Sequence, residues 1–304
     1  MNNIEKDLLK QITGLDSFEG AYNIRKDGQG VERKVTENVN IVTKEDKAGI
    51  DIYVKENTKN EFIHIPVIIT ESGLKDVVYN DFYIGKNAKV YIMAGCGIHN
   101  DHHKDSEHNG IHRFFLEEGA YVKYIEKHYG EGDGEGKRIL NPITEIYLKS
   151  GSTLEMDSVQ IKGVDSTDRI TKAVLEDETN LVISEKIMTH GSQFAKTLFD
   201  VTLQGENAST HVTSRSVATE KSRQEFISKV QGDSKCFAHI ECDAIIKDSA
   251  CVKSTPEVTA NNVDANLTHE AAIGKIAGEQ LTKLMTLGLT AKEAEDEIIK
   301  GFLK

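Results

Sequence analysis

Three of the four cysteines lie close together towards the C-terminal end of this sequence, at Cys236, Cys242 and Cys251, and a His-Glu pair follows at His269 and Glu270. Thiolate, imidazole and carboxylate groups are ligands of borderline and soft transition metals, and iron–sulfur clusters are held mainly by thiolates. Free cysteine is also among the most buried residue types. The segment therefore predicts either a metal or cluster site or a cysteine-containing part of the core.

A second concentration of candidate ligands lies between residues 95 and 114. It contains Cys96, His108 and His112 as well as the histidines at the start of the His-rich segment 99–112. Histidine is a common metal ligand, but two histidines four residues apart share a metal only when they lie on a helix. The other interpretation is a solvated loop between two strands, and the sequence leaves both open.

The composition limits the classes of partner. With 37 basic and 49 acidic residues the chain carries a net charge of −12, which argues against nucleic acid or an anionic membrane as a partner. No apolar run has the length of a membrane span, and the cysteines form no C-x-x-C pair or disulfide framework. A reducing cytosol fits this cysteine usage, so we expect a cytoplasmic protein.

A repeat of an apolar strand, a polar turn and a second strand begins at about residue 82. Its units start 32, 32, 27, 28, 27 and 16 residues apart, at Phe82, Phe114, Ile146, Ala173, Val201, Ser228 and Ala244. Such units bury their apolar faces only by stacking on one another. The repeat predicts a mainly β fold with a right-handed parallel β-helix at its core, and an antiparallel sandwich is the alternative.

The segment before the repeat has a different pattern. Residues 3–12 predict a short amphipathic helix that ends at Gly14. Residues 20–70 predict antiparallel strands around the turn at Asp27 and Gly28. Pro66 interrupts residues 63–69, so we expect an edge strand there.

Helical periodicity follows Glu270. Ile273 begins an apolar stripe, Gly288 ends the first helix, and Thr290 with Glu293 forms a capping box for a second helix over residues 291–303. We therefore expect three regions, which are an N-terminal helix and strand region at 1–80, a β-helix core at 81–270 and a C-terminal helical hairpin at 271–304.

The C-terminal end resembles the SufB/SufD family, the scaffolds of the SUF machinery for iron–sulfur cluster assembly. The matching pieces are the Cys-Asp pair at Cys242, the Pro-Glu pair at Pro256, the His-Glu-Ala run at His269 and the closing Gly301-Phe302. The similarity is dense over residues 240–304 and looser but continuous from about residue 80. The chain looks most like the short, single-scaffold form found in archaea and anaerobic bacteria.

The resemblance implies a role for each residue of the first group. Cys242 matches the cysteine that holds the nascent cluster in SufB, Glu270 matches its partner glutamate, and His269 matches the histidine that SufD contributes. Both kinds of ligand on one chain imply a homodimer in place of the SufB–SufD heterodimer. The cargo implied is a transient iron–sulfur cluster, of the 4Fe-4S type, bound at the homodimer interface, and Cys251, Cys236, Cys96, His108 and His112 are further candidate metal ligands.

One departure concerns the supply of sulfur. SufB receives sulfur on a second, upstream cysteine, but the matching stretch at residues 172–184 contains none. Either sulfur arrives by another route, for example as sulfide, or Cys96, Cys236 or Cys251 takes that role. The sulfur donor therefore stays open, and flavin binding is not assumed.

The favoured hypothesis is a cytoplasmic scaffold without catalytic turnover of its own. Its expected partners are a SufC-like ABC ATPase docked on the C-terminal helices, a second copy of the chain, a sulfur donor and the apo-proteins that accept the cluster. A β-helix carbohydrate lyase or hydrolase is the alternative from another class, with Asp165, Asp168 and Arg169 as its candidate residues. A structural accessory of an ABC ATPase is the third, but it has no use for Cys242.

Overall fold

The described part of the chain, residues 2–15 and 17–304, forms a β-solenoid of about eight turns in the computed structural model. Strands account for 58% of the chain and helices for 11%, which confirms the mainly β fold class. In chain order the elements are α1 (Asn3–Thr13), β1 (Ala21–Lys26), β2 (Gln29–Lys34), β3 (Val39–Thr43), β4 (Gly49–Val54), β5 (Lys59–Ile69), β6 (Lys75–Ile84), β7 (Lys89–His99), β8 (Ser106–Leu116), β9 (Tyr121–Glu131), β10 (Arg138–Leu140), β11 (Ile143–Leu148), β12 (Thr153–Lys162), β13 (Ser166–Leu175), β14 (Asn180–Thr189), β15 (Phe194–Leu203), β16 (Ser209–Ala218), β17 (Arg223–Gly232), β18 (Phe237–Ile246), β19 (Cys251–Ala260), β20 (Asn266–Gly274), α2 (Gly278–Thr286) and α3 (Ala291–Phe302).

The strands form two facing sheets, and successive strands from β4 onward alternate between them. The first sheet has the order β2-β1-β5-β7-β9-β12-β14-β16-β18-β20. The second has the order β19-β17-β15-β13-β10-β8-β6-β4-β3, with β11 continuing β10 beside β8 and β13. Along both sheets the ladders from β5 onward are parallel. Parallel stacking excludes the antiparallel sandwich for this region.

The repeat in the sequence corresponds to the turns of the solenoid. Phe82, Phe114, Ile146, Ala173 and Val201 lie directly above one another in the second sheet. For the last two units of the repeat, the alignment predicted from the sequence differs from the stacking in the structure. Val230, not Ser228, stacks on Val201. The unit from Ala244 starts in the first sheet, half a turn out of phase, which accounts for its spacing of 16 residues.

The core fills the space between the two sheets. Inward and outward residues alternate along each strand, as the pleat requires. Equivalent side chains of successive turns stack, and the Phe82 and Phe114 rings lie 4.5 Å apart, a pairing that contributes about 1 kcal/mol beyond burial. The prediction of stacked strand–turn–strand units is therefore confirmed.

Helix α1 covers the outer face of the first sheet. Asn2 and Glu5 form its capping box, and Gly14 ends it in the left-handed conformation, as predicted. Leu8 and Ile12 are fully buried against β7, each burial being worth about 2 kcal/mol. The helix lies this close because β7 has glycines at positions 95 and 97, where an added Cβ would meet Ile12 and Leu8 at 3.2 Å.

The N-terminal strands agree only in part with the prediction. The β1–β2 hairpin turns at Asp27 and Gly28, both with positive φ, and β3 pairs with β4 antiparallel, as expected. The prediction of an edge strand at 63–69 is wrong, because β5 lies between β1 and β7 and is parallel to both. Pro66 is tolerated there because β1 and β5 do not pair at Ile65 and Pro66.

The C-terminal helices follow the last strand. The capping box of Thr290 and Glu293 is confirmed, and Gly288 follows α2 with a φ of 98°. Ile273 was assigned to a helical stripe, but it lies in β20 beside Ala244, since β18 offers this segment a strand partner. The division at residues 80 and 270 stays a prediction. Within the described residues, we find no helix with the length and apolarity needed to cross a membrane.

Candidate functional site

The C-terminal end of the solenoid is open. Strands β19 and β20 are the last strands of the two sheets, and among the described residues no further strand pairs with their outer edges. Most of their residues are exposed, in contrast to the strands before them. Apolar side chains are exposed here too, with Val263 at 99%. An unpaired, partly apolar strand edge is a template for pairing with another chain.

Cys242 lies in the interior just below this open end. Its side chain points inward from β18, is 1% exposed, and sits between Ser214 and Ala271 in the stack of the first sheet. Burial raises the pKa of the Cys242 thiol to about 11, and the carboxylates of Glu185 and Asp243 add to the shift. The group is therefore a neutral thiol at pH 7, and it binds a metal only with release of its proton.

His269 points into the same interior from β20. It pairs with Ile240, so it stands diagonally to Cys242 with a Cα separation of roughly 8 Å. Its Nδ1 lies 3.1 Å from the Ser228 hydroxyl, while Nε2 is buried and has no hydrogen-bond partner among the described residues. Burial lowers the pKa of His269. The neutral imidazole thus has a free nitrogen of the kind that ligates a metal.

Glu270 lies on the opposite face of β20. It pairs with Glu241, an outward position, so its carboxylate is on the outer surface while His269 and Cys242 face inward. Neighbouring residues on a strand always diverge in this way. Cys251 is exposed at the start of β19. One chain therefore brings Cys242 and His269 together but not Glu270 or Cys251.

Cys236 shares the inward side with Cys242 and is buried. It lies six residues earlier along an extended chain, so its Cα is roughly 20 Å from that of Cys242. Over residues 2–15 and 17–304 no three His, Cys, Asp or Glu side chains are grouped to hold a metal ion. At the open end, one chain brings together only one thiol and one imidazole.

Cys96, His108 and His112 help to line a small cavity of about 10 Å³ far from the open end, a space comparable with one water molecule. His108 and His112 are inward residues of β8 rather than residues of a helix or of a solvated loop, so the loop interpretation is wrong for them. Cys96 lies five strands from β18, roughly 24 Å along the solenoid.

This cluster is bonded within itself. His108 Nδ1 lies 3.1 Å from Asp76, and His112 contacts the Tyr124 hydroxyl at 2.7 Å and Asn80 at 3.2 Å. Burial lowers the pKa of His112 to about 4, so its imidazole is neutral. The arrangement satisfies the polar groups internally, as a structural interior requires.

Three buried polar residues of this interior, Glu126, His128 and Glu185, were missed by the sequence analysis, which considered Arg169 only as a residue of a carbohydrate enzyme. Together with Arg169 they form a chain of ion pairs and hydrogen bonds across the two sheets. Burial would raise the pKa of Glu126, but the charges of His128 and Arg169 outweigh it and hold that pKa well below its usual range. The period-two alternation of Tyr124, Glu126 and His128 was the available signal.

The polar interior continues towards Cys242. Glu126, Ser158, Glu185, Ser214 and Cys242 occupy consecutive inward positions of the first sheet. Ser214 donates to Glu185 at 2.8 Å. A line of polar groups inside the solenoid thus ends at the buried thiol.

The candidate residues of a carbohydrate enzyme do not converge. Arg169 is fully buried in the interior cluster, while Asp165 is paired with Arg138 and Asp168 with Lys196. A glycosidase needs two carboxylates facing each other in an accessible groove. These residues offer no such pair.

Comparison with known proteins places these features in a family context. Residues 67–302 match the family model described as SUF system FeS cluster assembly, SufBD core domain. An iron–sulfur cluster assembly SufBD family protein of Methanocaldococcus jannaschii is 27% identical over 291 residues, covering 93% of this chain and 90% of that protein. A SufBD family protein of Pyrococcus horikoshii is 28% identical over 257 residues, covering 83% of this chain and 77% of its own length. One from Archaeoglobus fulgidus is 26% identical over 266 residues, covering 85% and 70%.

Proposed function

The chain belongs to the SufBD family of the SUF system for iron–sulfur cluster assembly, and from that premise we propose that it is a cytoplasmic scaffold that holds a nascent cluster between two copies of itself. The cluster is cargo that is assembled and passed on, so no catalytic turnover is assigned to this chain. The observation that carries the proposal is that buried Cys242 and His269, whose Nε2 has no hydrogen-bond partner among the described residues, face the same interior at the open end of the solenoid.

The second copy is supported by the exposed edges of β19 and β20. A two-fold dimer uses the same surface twice, and edge strands are a common surface for strand addition. Val258, Val263 and Ile273 are exposed in or beside these strands and lose contact with water when the edges meet. Glu270 faces away from Cys242 of its own chain. In this proposal its carboxylate therefore binds the cluster together with ligands of the partner chain.

The ligand count also favours two copies. A 4Fe-4S cluster takes four protein ligands, mainly thiolates, and one chain offers one inward thiolate and one imidazole at this end. Two chains supply two of each, with Glu270 as a further donor. A thiol whose pKa lies at about 11 gives up its proton only when iron binds. This property suits a site that loads and releases its cargo.

An ABC-type ATPase is the proposed energy source, docked on α2 and α3. The helical hairpin is anchored to the solenoid by the ion pair of Lys247 with Glu295 at 2.7 Å and by a hydrogen bond from Lys186 to the Lys304 carbonyl. Met285 and Leu287 are exposed at 46% and 76%. Exposed apolar side chains on this hairpin are a docking surface for a partner.

Anaerobic reconstitution with ferrous iron and sulfide tests the cluster site. Cys242→Ala should abolish the brown colour and the visible absorbance of the cluster, and Glu270→Ala should weaken cluster retention. Cys96→Ala is the matched control, since Cys96 is an equally buried cysteine in the other cluster, and it should keep the wild-type iron content. Wild-type iron retention by Cys242→Ala would refute the site.

Co-purification tests the ATPase. Deletion of residues 275–304 leaves β20 intact and should abolish capture of the ATPase, while the circular dichroism of the β body is unchanged. The point variant Leu287→Glu should reduce capture without deleting any structure, and Lys275→Glu, outside the helices, is its control. Undiminished capture by the deletion variant would exclude this docking site.

A further inference from the structure

A large pocket opens at the end of the solenoid opposite to Cys242. It has a volume of about 690 Å³ and lies between the β1–β2 hairpin and the β3–β4 hairpin. We call it the N-terminal pocket and define it by Arg25, Gly30, Arg33, Lys47, Ile65 and Val78 among its lining residues. Its volume falls within the range of about 300–1,000 Å³ that is typical of small-molecule sites.

The charge of the N-terminal pocket is opposite to that of the molecule. Four cationic side chains line it, at Arg25, Arg33, Lys44 and Lys47, against a single carboxylate at Glu32, in a chain whose net charge is −12. A concave surface lined by one sign of charge attracts small ions of the other sign. A long polyanion, in contrast, is repelled by the rest of the surface.

Two of these cations are already neutralised. Arg25 makes a bidentate contact with Asp76, and Lys44 lies 2.7 Å from Asp81. Arg33 differs, because it donates to uncharged oxygens of Asn23, Ile41 and Thr43.

Lys47, like Arg33, has no strong ion pair among the described residues. Its ammonium group lies 4.5 Å from the centre of the Tyr79 ring and 4.0 Å from the exposed Asp46. Exposed ion pairs at that distance are weak. Arg33, which keeps unused N–H donors, and Lys47 are therefore the charges that a ligand meets.

The remaining surface of the N-terminal pocket is apolar and locally irregular. Ile65, Val67 and Val78 form its floor from β5 and β6. The β1–β2 ladder skips Val31, since Arg25 pairs with Gly30 and Ile24 with Glu32. Such bulges leave a residue unpaired and are frequent beside binding sites.

We propose that the N-terminal pocket binds a small organic anion, a molecule with an apolar body and a carboxylate or phosphate group. The apolar floor takes the body, and Arg33 and Lys47 take the charged group, for which a guanidinium is well suited by its planar donor geometry. This site is distinct from the cluster site, and its occupancy does not depend on iron.

The test uses 8-anilinonaphthalene-1-sulfonate as a fluorescent probe on the full-length protein, because this dye joins an apolar body to one anionic group. We expect one saturable site per chain. The uncharged analogue N-phenyl-1-naphthylamine should bind about tenfold more weakly, since it forgoes the charge interaction. Equal binding of the two dyes would overturn the proposal.

Gly30 provides the decisive pair of variants. A Cβ added at Gly30 meets no atom within 4 Å, so a side chain fits there without disturbing the packing. Gly30→Glu adds a negative charge to the wall and should weaken dye binding about tenfold, whereas Gly30→Gln, of the same size, should change it by less than about twofold. An equal effect of the two variants would mean that bulk alone matters, and the anion site would be refuted.

Displacement of the dye identifies the chemistry. Adenosine monophosphate presents a phosphate, and citrate presents carboxylates. The preferred anionic group is that of the compound that displaces the dye from the wild-type protein but not from Lys47→Glu. Displacement by either supports the proposal. Displacement by neither at millimolar concentration would overturn it.

Discussion

The two polar regions inside the solenoid are built in opposite ways. Around Arg169 the buried charges are paired within one chain, since Glu126, His128 and Glu185 all lie close to its guanidinium, although Arg169 Nε has no hydrogen-bond partner among the described residues. At the open end Cys242 is buried as a neutral thiol and His269 keeps a buried nitrogen without a partner among the described residues. The first arrangement pairs its charges within one chain, whereas we propose that the second is one half of a site shared by two chains. Buried polar groups are retained where they are paired or where they bind something.

The largest expected difference between the two regions is in stability. Arg169→Met leaves Glu126 and Glu185 buried without the cation that both contact, and should lower the free energy of unfolding by about 3–5 kcal/mol. His269→Ala removes one hydrogen bond of a neutral side chain and should cost about 1 kcal/mol. Denaturant titration of both variants measures the difference. Equal losses would show that the polar groups of the open end contribute as much to stability as those of the interior cluster.

The fold was predictable because its signals are local. Stacked strands repeat a period-two alternation and a polar turn, so the units from Phe82 to Val201 identified the solenoid correctly. The half-turn offset at Ala244 could not be predicted from the sequence. A strand–turn–strand unit has the same pattern whether its first strand lies in the first sheet or in the second. The edge-strand prediction failed because Pro66 is excluded only where its missing N–H is needed.

The site was less predictable for a physical reason. Similarity indicated Cys242, His269 and Glu270 as a group, but adjacent strand residues face opposite sides, so Glu270 is separated from the other two in one chain. The interior cluster joins residues up to 43 positions apart in sequence, as Glu126 and Arg169 are. No spacing rule reveals such a contact before the register of the strands is known.

Acid should weaken the buried cluster of Cys96, His108 and His112. The pKa of His112 falls from 6.5 to about 4 on burial, so between these pH values the unfolded chain binds more protons than the folded chain. Stability is therefore present above about pH 6.5 and is lost as the pH falls towards 4, by up to about 3 kcal/mol from this group. Unfolding titrations from pH 7 to 4 should show a shallower decline for His112→Gln. An unchanged slope would contradict the assignment of the cluster.

Alkali should weaken the open end instead. The pKa of Cys242 rises from 9.0 to about 11, so between these values the folded chain holds the proton more tightly than the unfolded chain. Stability is present below about pH 9 and is lost as the pH rises towards 11, by about 2 kcal/mol. Cys242→Ala should remove that decline under reducing conditions, while Cys251→Ala keeps it. A decline that persists in Cys242→Ala would place its origin elsewhere.

The smallest expected effect concerns Cys251. Its side chain is exposed on β19, away from the interior, so Cys251→Ser should change the free energy of unfolding by less than about 0.5 kcal/mol. It should also leave the iron content after anaerobic reconstitution unchanged. A loss of iron in this variant would mean that the cluster site extends to the outer surface. The open end would then differ less clearly from the cluster around Arg169.

Mixed dimers test the half-site most directly. Wild-type and Cys242→Ala chains carrying different affinity tags are co-expressed, the mixed dimer is isolated without oxygen, and iron and sulfide are measured after reconstitution together with the rate of cluster loss to a chelator. A cluster bound from both chains requires Cys242 twice, so the mixed dimer should hold little iron and lose it rapidly. A mixed dimer that held half of the wild-type iron with wild-type kinetic stability would mean that each chain owns a complete site.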